Sequence, residues 1–491
     1  MPWKIILLIF ILALVIRFLY FPNNVYFGYD QARDSFVSLE ILKGHLKLIG
    51  PPSSINDNLF HGPLIYYIYA PIYFLSDNNP EVVAAVFRVI NSLGVISVFF
   101  IGWMLFNRNI GLISAFLFAI SYEQSQYSLF ISHPSLAVLP VMLFYLGLSL
   151  VIFKNRQWGL IVSALGLGLA IEFHYVHSLL VIPLAVILLT FRKFKIKYLF
   201  ISLPVFLLSI LSFVIAELKF NFREIKTLIS QQSQVFDLGQ IIPISQRWLH
   251  DNFLSLNLGF LAPLILLVAA VFTLRKERTK KQAVFLTIWF TAGFIPYIFS
   301  KSPSYYYNAG SSVSLLILGA FLIYQFMQKN KILGFAVIAI TLVSNFSLIY
   351  SLNFKGPNKD IIIQPEMLTV YERGALDYIY DRAAGQQFAA DALTSPLNVN
   401  TTWSYLFEWY GRNKYGYLPV WGLEAAAGFP GNLKVETDRA RLPDKRFTII
   451  EPTIGIGASH IADFFKEENY FSKVLEEKQF GPIKVQERIR I

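Results

Sequence analysis

The 491-residue chain contains no cysteine, and charged residues make up only 15% of it, against roughly 25% in ordinary soluble domains. Without cysteine there is no disulfide framework, no thiol nucleophile and no thiolate metal site, so any part outside the cytoplasm folds by packing alone. So little charge, beside 55% apolar and 16% aromatic residues, excludes both a soluble single domain and a disordered chain. No short period marks collagen or a coiled coil. The remaining class is an α-helical polytopic membrane protein.

Eleven apolar stretches bounded by charge are expected to cross the bilayer. They run from Trp3 to Phe21, Glu81 to Phe106, Gly111 to Tyr122, Pro134 to Phe153, Trp158 to Ile171 and Val176 to Phe191. The later ones run from Tyr198 to Ala216, Phe253 to Leu274, Ala283 to Phe299, Ala309 to Met327 and Ile332 to Leu352. Met1 to Lys4 resembles the start of a signal peptide, but no small-residue cleavage site follows, so a retained first helix is expected.

With Lys4 inside, alternation places Arg108, Lys154, Arg156, the 192–197 cluster, the 275–281 cluster, Lys329 and Lys331 in inner loops. The alternate loops almost lack basic residues. Inner loops then carry +14, the rest of the chain to Leu352 carries −2 and the tail −1, so the net +11 is a topology signal and not a nucleic-acid footprint. The amino terminus is expected in the cytoplasm of a cell-membrane protein, and the tail outside. Arg17 and Arg88 are expected to snorkel outward from their helices.

Residues 1–352 are thus expected to form the transmembrane domain, with long outer loops at 22–80 and 217–252. In the first loop, Gln31 to Lys43 is amphipathic and expected along the membrane surface, as is the tyrosine-rich stretch Pro63 to Leu75. Residues 353–491 return to soluble composition and are expected to form a small extracytoplasmic α/β domain. Helices are predicted at Met367 to Arg382 and Ser459 to Asn469, and strands at 446–450, 473–480 and 483–491, the last two forming a hairpin around Gly481-Pro482. The tail aromatics Trp403, Tyr405, Trp409, Tyr410, Tyr415 and Trp421 suit a core better than a sugar platform.

The outer loops gather Asp30, Asp34, His61, Glu123, His133, Glu172, His174, His177, His250 and Lys301 near helix ends, including five of the seven histidines. Carboxylates and imidazoles collected at one face suit a water-accessible site at a bilayer surface. In Tyr29-Asp30-Gln31-Ala32-Arg33-Asp34 the four-residue spacing puts both acids on one helical face with Arg33 beside Asp34. Locally, Asp30 also reads as an N-cap, and chemically it reads as a general base. His61 precedes Pro63, a first-turn proline, and could donate to a phosphate at that helix start or be a solvated loop residue. Glu172, His174 and His177 could hold a metal, but three ligands in one tight turn converge poorly, so no metal ligand is assigned. Ser302 to Tyr307 reads as an aromatic belt, with Lys301 a lipid-phosphate contact as the second reading.

This order of features resembles the GT-C glycosyltransferases, in the branch of protein O-mannosyltransferases and lipid A aminoarabinose transferases. In that family an Asp-Glu pair with a nearby arginine follows the first membrane helix; here Asp30-Gln31 with Arg33 resembles it, with Gln31 in place of the glutamate. The family's basic-Pro-Pro-Leu motif is similar to His61-Gly62-Pro63-Leu64, and Glu123 or His133 stands where some members carry a second acid. The resemblance implies transfer of a sugar from a polyprenyl-phosphate-linked donor to a hydroxyl of a glycan, lipid or protein acceptor, with inversion. It implies Asp30 as base, with Asp34 and Glu123 supporting, and Arg33, His61, Lys301 and Arg247 at the donor phosphate. Tyr29, Gln31, His133, Glu172, His174 and His250 would position substrate, and the 217–252 loop would close over the lipid. No cofactor is required, although a divalent cation would be compatible with these groups. Besides the polyprenyl donor and the acceptor, the partners expected are membrane lipids, with no nucleic acid.

The rival from another class is a multi-pass lipid or glycan transporter or flippase. Such a protein is expected to carry ionisable residues near the bilayer midplane and paired repeats, and the sequence offers neither. A receptor or scaffold would not need carboxylates gathered at one face.

Overall fold

The computed structural model describes residues 3–53, 56, 58–230, 237–275, 277–298 and 304–491. Each of the eleven expected spans contains helix, but among the described residues three helices are long and apolar enough to cross a membrane by length and composition: Pro80–Leu105, His133–Lys154 and Lys331–Lys355. A fourth candidate, Ile196–Ser209 with Leu211–Lys219, is bent by 67° at its break. The others are shorter apolar helices, such as Arg108–Ile120 and Gly159–Phe173. Local chemistry sets these limits. The expected span from Phe253 becomes helical only at Leu261, because Gln246 holds the intervening loop: its Oε1 accepts from Leu258 N at 2.7 Å and its Nε2 donates to Leu256 O at 2.7 Å. Leu7, Leu8, Leu267, Val268, Phe335 and Val343 point outward, as expected for side chains facing lipid.

Helices Val138–Lys154 and Gly159–Phe173 pack face to face through small residues. A Cβ on Gly147 would collide with the carbonyl of Gly159, so the close approach depends on glycine there. Arg17 and Arg88 are fully buried and do not snorkel. Arg17 donates to Asn91 Oδ1 at 2.6 Å and to Ala119 O at 2.8 Å, while Arg88 donates to Asn24 Oδ1 at 2.9 Å and lies over the Phe21 ring. All three nitrogens of Arg17 find acceptors inside the bundle, which fastens the first helix to its neighbours, whereas Arg88 Nε and Nη1 are buried without a hydrogen-bond partner.

Neither amphipathic stretch of the first loop lies on a bare surface. Helix Tyr29–Leu42 packs against Leu64–Leu75 on one side and against the tail helix Thr401–Leu406 on another. It buries Gln31, Asp34, Ser35 and Ser38 together with Ala32 and Phe36, and leaves Leu42 exposed. In the 217–252 loop, Arg223–Ser230 and Ile241–Asn252 are helices, and Trp248 is buried in the core. The polar run expected at its centre, residues 231–234, lies outside the described residues.

The tail holds a six-stranded sheet: β1 Ala389–Leu393, β2 Val420–Trp421, β3 Lys434–Val435, β4 Lys445–Ile450, β5 Ser472–Phe480 and β6 Ile483–Arg490. The order is β3-β2-β1-β4-β6-β5, with β1 to β4 parallel and β6 antiparallel to both its neighbours. Helices Thr369–Ala383 and Ala458–Phe471 and the β5–β6 hairpin fall where the sequence places them. Strands β1 to β3 were not expected, because Ala389–Leu393 reads Ala-Ala-Asp-Ala-Leu and the other two are two residues long. The tail is bonded to the first loop by Phe27 N to Met367 O and Thr369 N to Val25 O, both 2.9 Å. Tyr405 packs its ring against Phe27, Phe36 and Tyr73, and donates to Asn78 O at 2.7 Å. With Trp403 and Trp421 it is core.

Candidate functional site

The start of helix Tyr29–Leu42 builds the first half of the site. Gln31 sits at the third helical position, where its Oε1 accepts from Gly28 N at 3.1 Å as a capping residue does. Its Nε2 donates to Ile131 O at 2.9 Å, a bond that a glutamate could not make. Arg33 then bridges both acids: Nη1 donates to Asp30 Oδ1 and Nη2 to Asp34 Oδ1, each at 2.7 Å. The two carboxylates differ in setting. Asp34 is 1% exposed, and burial pushes its carboxyl up to about 6 against the pull of Arg33, whereas Asp30 is 56% exposed. Tyr29 lays its ring against Arg33 and meets Phe429 of the tail edge-on at 5.9 Å.

Beside this group stand three buried imidazoles from three separate segments: His61 before helix Leu64–Leu75, His133 at the start of His133–Leu136 and His174 after Gly159–Phe173. One ring nitrogen of each lies within 4.8 Å of the others, and among the described residues this is the group of chelating side chains that could share an ion. Burial, neighbouring rings and Arg33 hold His61 well below the usual imidazole range, and His174 is held low by burial and by His61 and His177. The sequence grouping of Glu172, His174 and His177 therefore does not form: His174 turns toward His61, at 4.2 Å between ring centroids, and stands 6.2 Å from His177. Glu172 faces away, accepting from Ser212 Oγ at 2.7 Å, while its carbonyl accepts from Gly62 N at 2.9 Å. A Cβ on residue 62 would collide with the Glu172 carboxyl group, which explains glycine in the His61-Gly62-Pro63-Leu64 motif.

The second half forms around Glu123. It is buried beside Arg247, Ser312 and Asn252, and burial raises its carboxyl while Arg247 opposes the rise. Asn252 donates to Glu123 Oε2 at 3.0 Å and accepts from Ser121 Oγ at 2.7 Å. Arg247 lies over the Tyr305 ring at 4.2 Å and donates to Asn308 Oδ1 at 2.7 Å. His250 is bonded to Asp251 at 2.7 Å, and that bond raises its imidazole; Asp251 also accepts from Tyr305 at 3.1 Å.

The acids and histidines expected at one face thus divide into two clusters, with the turn Tyr305–Asn308 as the wall between them. Tyr306 stands 5.6 Å from His174, and Tyr307 lies 5.4 Å from His174 and 6.2 Å from Tyr297. Tyr305 and Tyr307 are buried, so they form no aromatic belt. Lys301 lies outside the described residues. Sequence reasoning missed Asn252, Tyr297 and Asn308, since an asparagine or tyrosine carries no signal until a buried charge faces it, and it passed over Asp251 beside His250.

Residues 60–216 match the family model of dolichyl-phosphate-mannose-protein mannosyltransferases. Over 98% of its length the chain superimposes on 97% of the crystal structure of ArnT from Cupriavidus metallidurans bound to undecaprenyl phosphate, with a TM-score of 0.64 at 12% identity. The chain shares the fold of that ArnT structure. The GT-C likeness extends to the Archaeoglobus fulgidus oligosaccharyltransferase in its apo form, with a TM-score of 0.50 at 12% identity. That alignment covers 84% of this chain and 64% of the oligosaccharyltransferase. No curated protein matches the sequence. Coverage of 98% by the ArnT alignment means that the GT-C likeness takes in the tail as well as the helices.

Proposed function

We propose that the protein is a membrane glycosyltransferase, moving a sugar from a polyprenyl-phosphate-linked donor to an acceptor hydroxyl at the extracytoplasmic face, with inversion. The observation that carries this reading is the Asp30–Arg33–Asp34 group, an open carboxylate tied to a buried one, at the first loop of a GT-C fold. The acceptor oxygen attacks the anomeric carbon from the face opposite the phosphate. A carbon–oxygen bond forms to the acceptor, the bond to the phosphate oxygen breaks, and the acceptor proton passes to Asp30. Asp34 holds Arg33 in place for this step, and Glu123 orients Arg247.

Charge growing on the departing polyprenyl phosphate is met by Arg33, Arg247 and Lys301, with His61 as a hydrogen-bond donor. Tyr29, Gln31, His133, His174 and His250 position the substrate, and Glu172 fixes the loop that carries His61. The described parts of the 217–252 loop, helices Arg223–Ser230 and Ile241–Asn252, would cover the lipid and keep out water that would hydrolyse the donor. The test is incubation of membranes with radiolabelled polyprenyl-phosphate sugars, with product identification. Asp30→Asn is expected to lower transfer by about 10²- to 10⁴-fold, the usual worth of a general base. Normal transfer by that variant would refute the base assignment, and substrate flux into vesicles without labelled product would favour a transporter.

A further inference from the structure

We infer that His61, His133 and His174 bind one divalent transition-metal ion of the zinc class. Three imidazoles are a ligand set that zinc accepts at a site with an open fourth position. Their approach to one another is unusual for a protein interior, since all three rings are buried and each offers a nitrogen within 4.8 Å of the other two. Tetrahedral zinc at about 2.0–2.1 Å from each nitrogen would set those nitrogens about 3.3 Å apart, so small side-chain rotations close the site.

An independent observation points to a ligand: His61 Nδ1 is buried with no hydrogen-bond partner. Orphaned buried nitrogens are uncommon, and a metal ion would satisfy this one. The neighbours suit a ligand role at His133, whose Nδ1 faces Ser132 Oγ at 3.4 Å. His174 Nδ1 accepts from Val176 N at 3.2 Å. Coordination through its Nε2 would move the proton to Nδ1 and give up that cap, a small loss beside three metal–nitrogen bonds. Arg33 is the member of its triad that faces the imidazoles, and its ion pairs with Asp30 and Asp34 offset its positive charge beside the ion. Resting on the glycosyltransferase reading, the open position would take an oxygen of the donor phosphate.

The test is metal analysis of the purified full-length protein after loading with zinc or cobalt(II) and desalting. One equivalent per chain is expected, with the intense visible absorption of four-coordinate cobalt(II). His133→Ala and His174→Ala should each lower retention at least tenfold, while His177→Gln leaves it unchanged. No retained metal, or equal retention in His133→Ala, would overturn the proposal. If the alanine variants fail to fold, the wild-type protein still decides. A chelator-reversible rise in Tm with zinc supports the site, and its absence together with a featureless cobalt spectrum rejects it. Undecaprenyl phosphate is then titrated into the cobalt form. A spectral change supports phosphate at the open position, and no change overturns that part while leaving the metal site and the transferase reading in place.

Discussion

Arg33 holds the buried carboxylate of Asp34 at 2.7 Å while its other arm reaches the open carboxylate of Asp30. Removing the arginine leaves a charge stranded in a place that water barely reaches. Arg33→Leu is therefore expected to destabilise the protein by about 3 to 5 kcal/mol, read as a fall in Tm in detergent. The double variant Arg33→Leu/Asp34→Asn should recover most of that loss, because no buried charge remains.

The same carboxyl makes stability depend on pH. Asp34 ionises near 3.8 when unfolded and at about 6 in the fold. A raised acid contributes stability that is complete below the unfolded value and is lost as pH climbs through the folded one. Between about pH 4 and about pH 6 the wild-type protein should lose roughly 2 kcal/mol more than Asp34→Asn. Parallel pH–Tm curves for the two proteins would count against this account.

Gly62 is required by its neighbour. Gly62→Ala would drive a methyl group into Glu172 and is expected to cost about 1 to 3 kcal/mol, displacing the loop that bears His61. Trimming the side chain with Glu172→Ala should not restore the loop, because the Glu172 carbonyl oxygen lies 2.6 Å from the same Cβ position. Thermal unfolding of the single and double variants checks both statements.

Arg247 combines a stack on Tyr305 with a bond to Asn308, a geometry that a planar guanidinium fits and an ammonium does not. Arg247→Lys keeps the charge yet is expected to lower kcat/KM about tenfold to hundredfold. Steady-state transfer with a polyprenyl-linked sugar measures it, and an unchanged kcat/KM would place Arg247 outside the donor site.

Arg17 fastens the first helix through Asn91 and the carbonyl of Ala119. Arg17→Met leaves these acceptors buried without donors and should cost about 3 kcal/mol, seen as a lower Tm with substrate affinity unchanged.

The sequence by itself determined the membrane class, the apolar helices and the β5–β6 hairpin, because hydropathy, charge asymmetry and turn residues are local properties. It also singled out Asp30, Arg33, Asp34 and His61, which lie within one loop and are legible from spacing. Only the tertiary structure decided that Arg17 and Arg88 are buried, that helix Tyr29–Leu42 is covered by the tail and that His133 and His174 join His61. Those histidines belong to three segments far apart in the chain, and their neighbours in sequence point elsewhere. Strand β1 escaped notice for a related reason: alanines form a strand there because both faces of the sheet are buried, and burial is a property of the assembled fold.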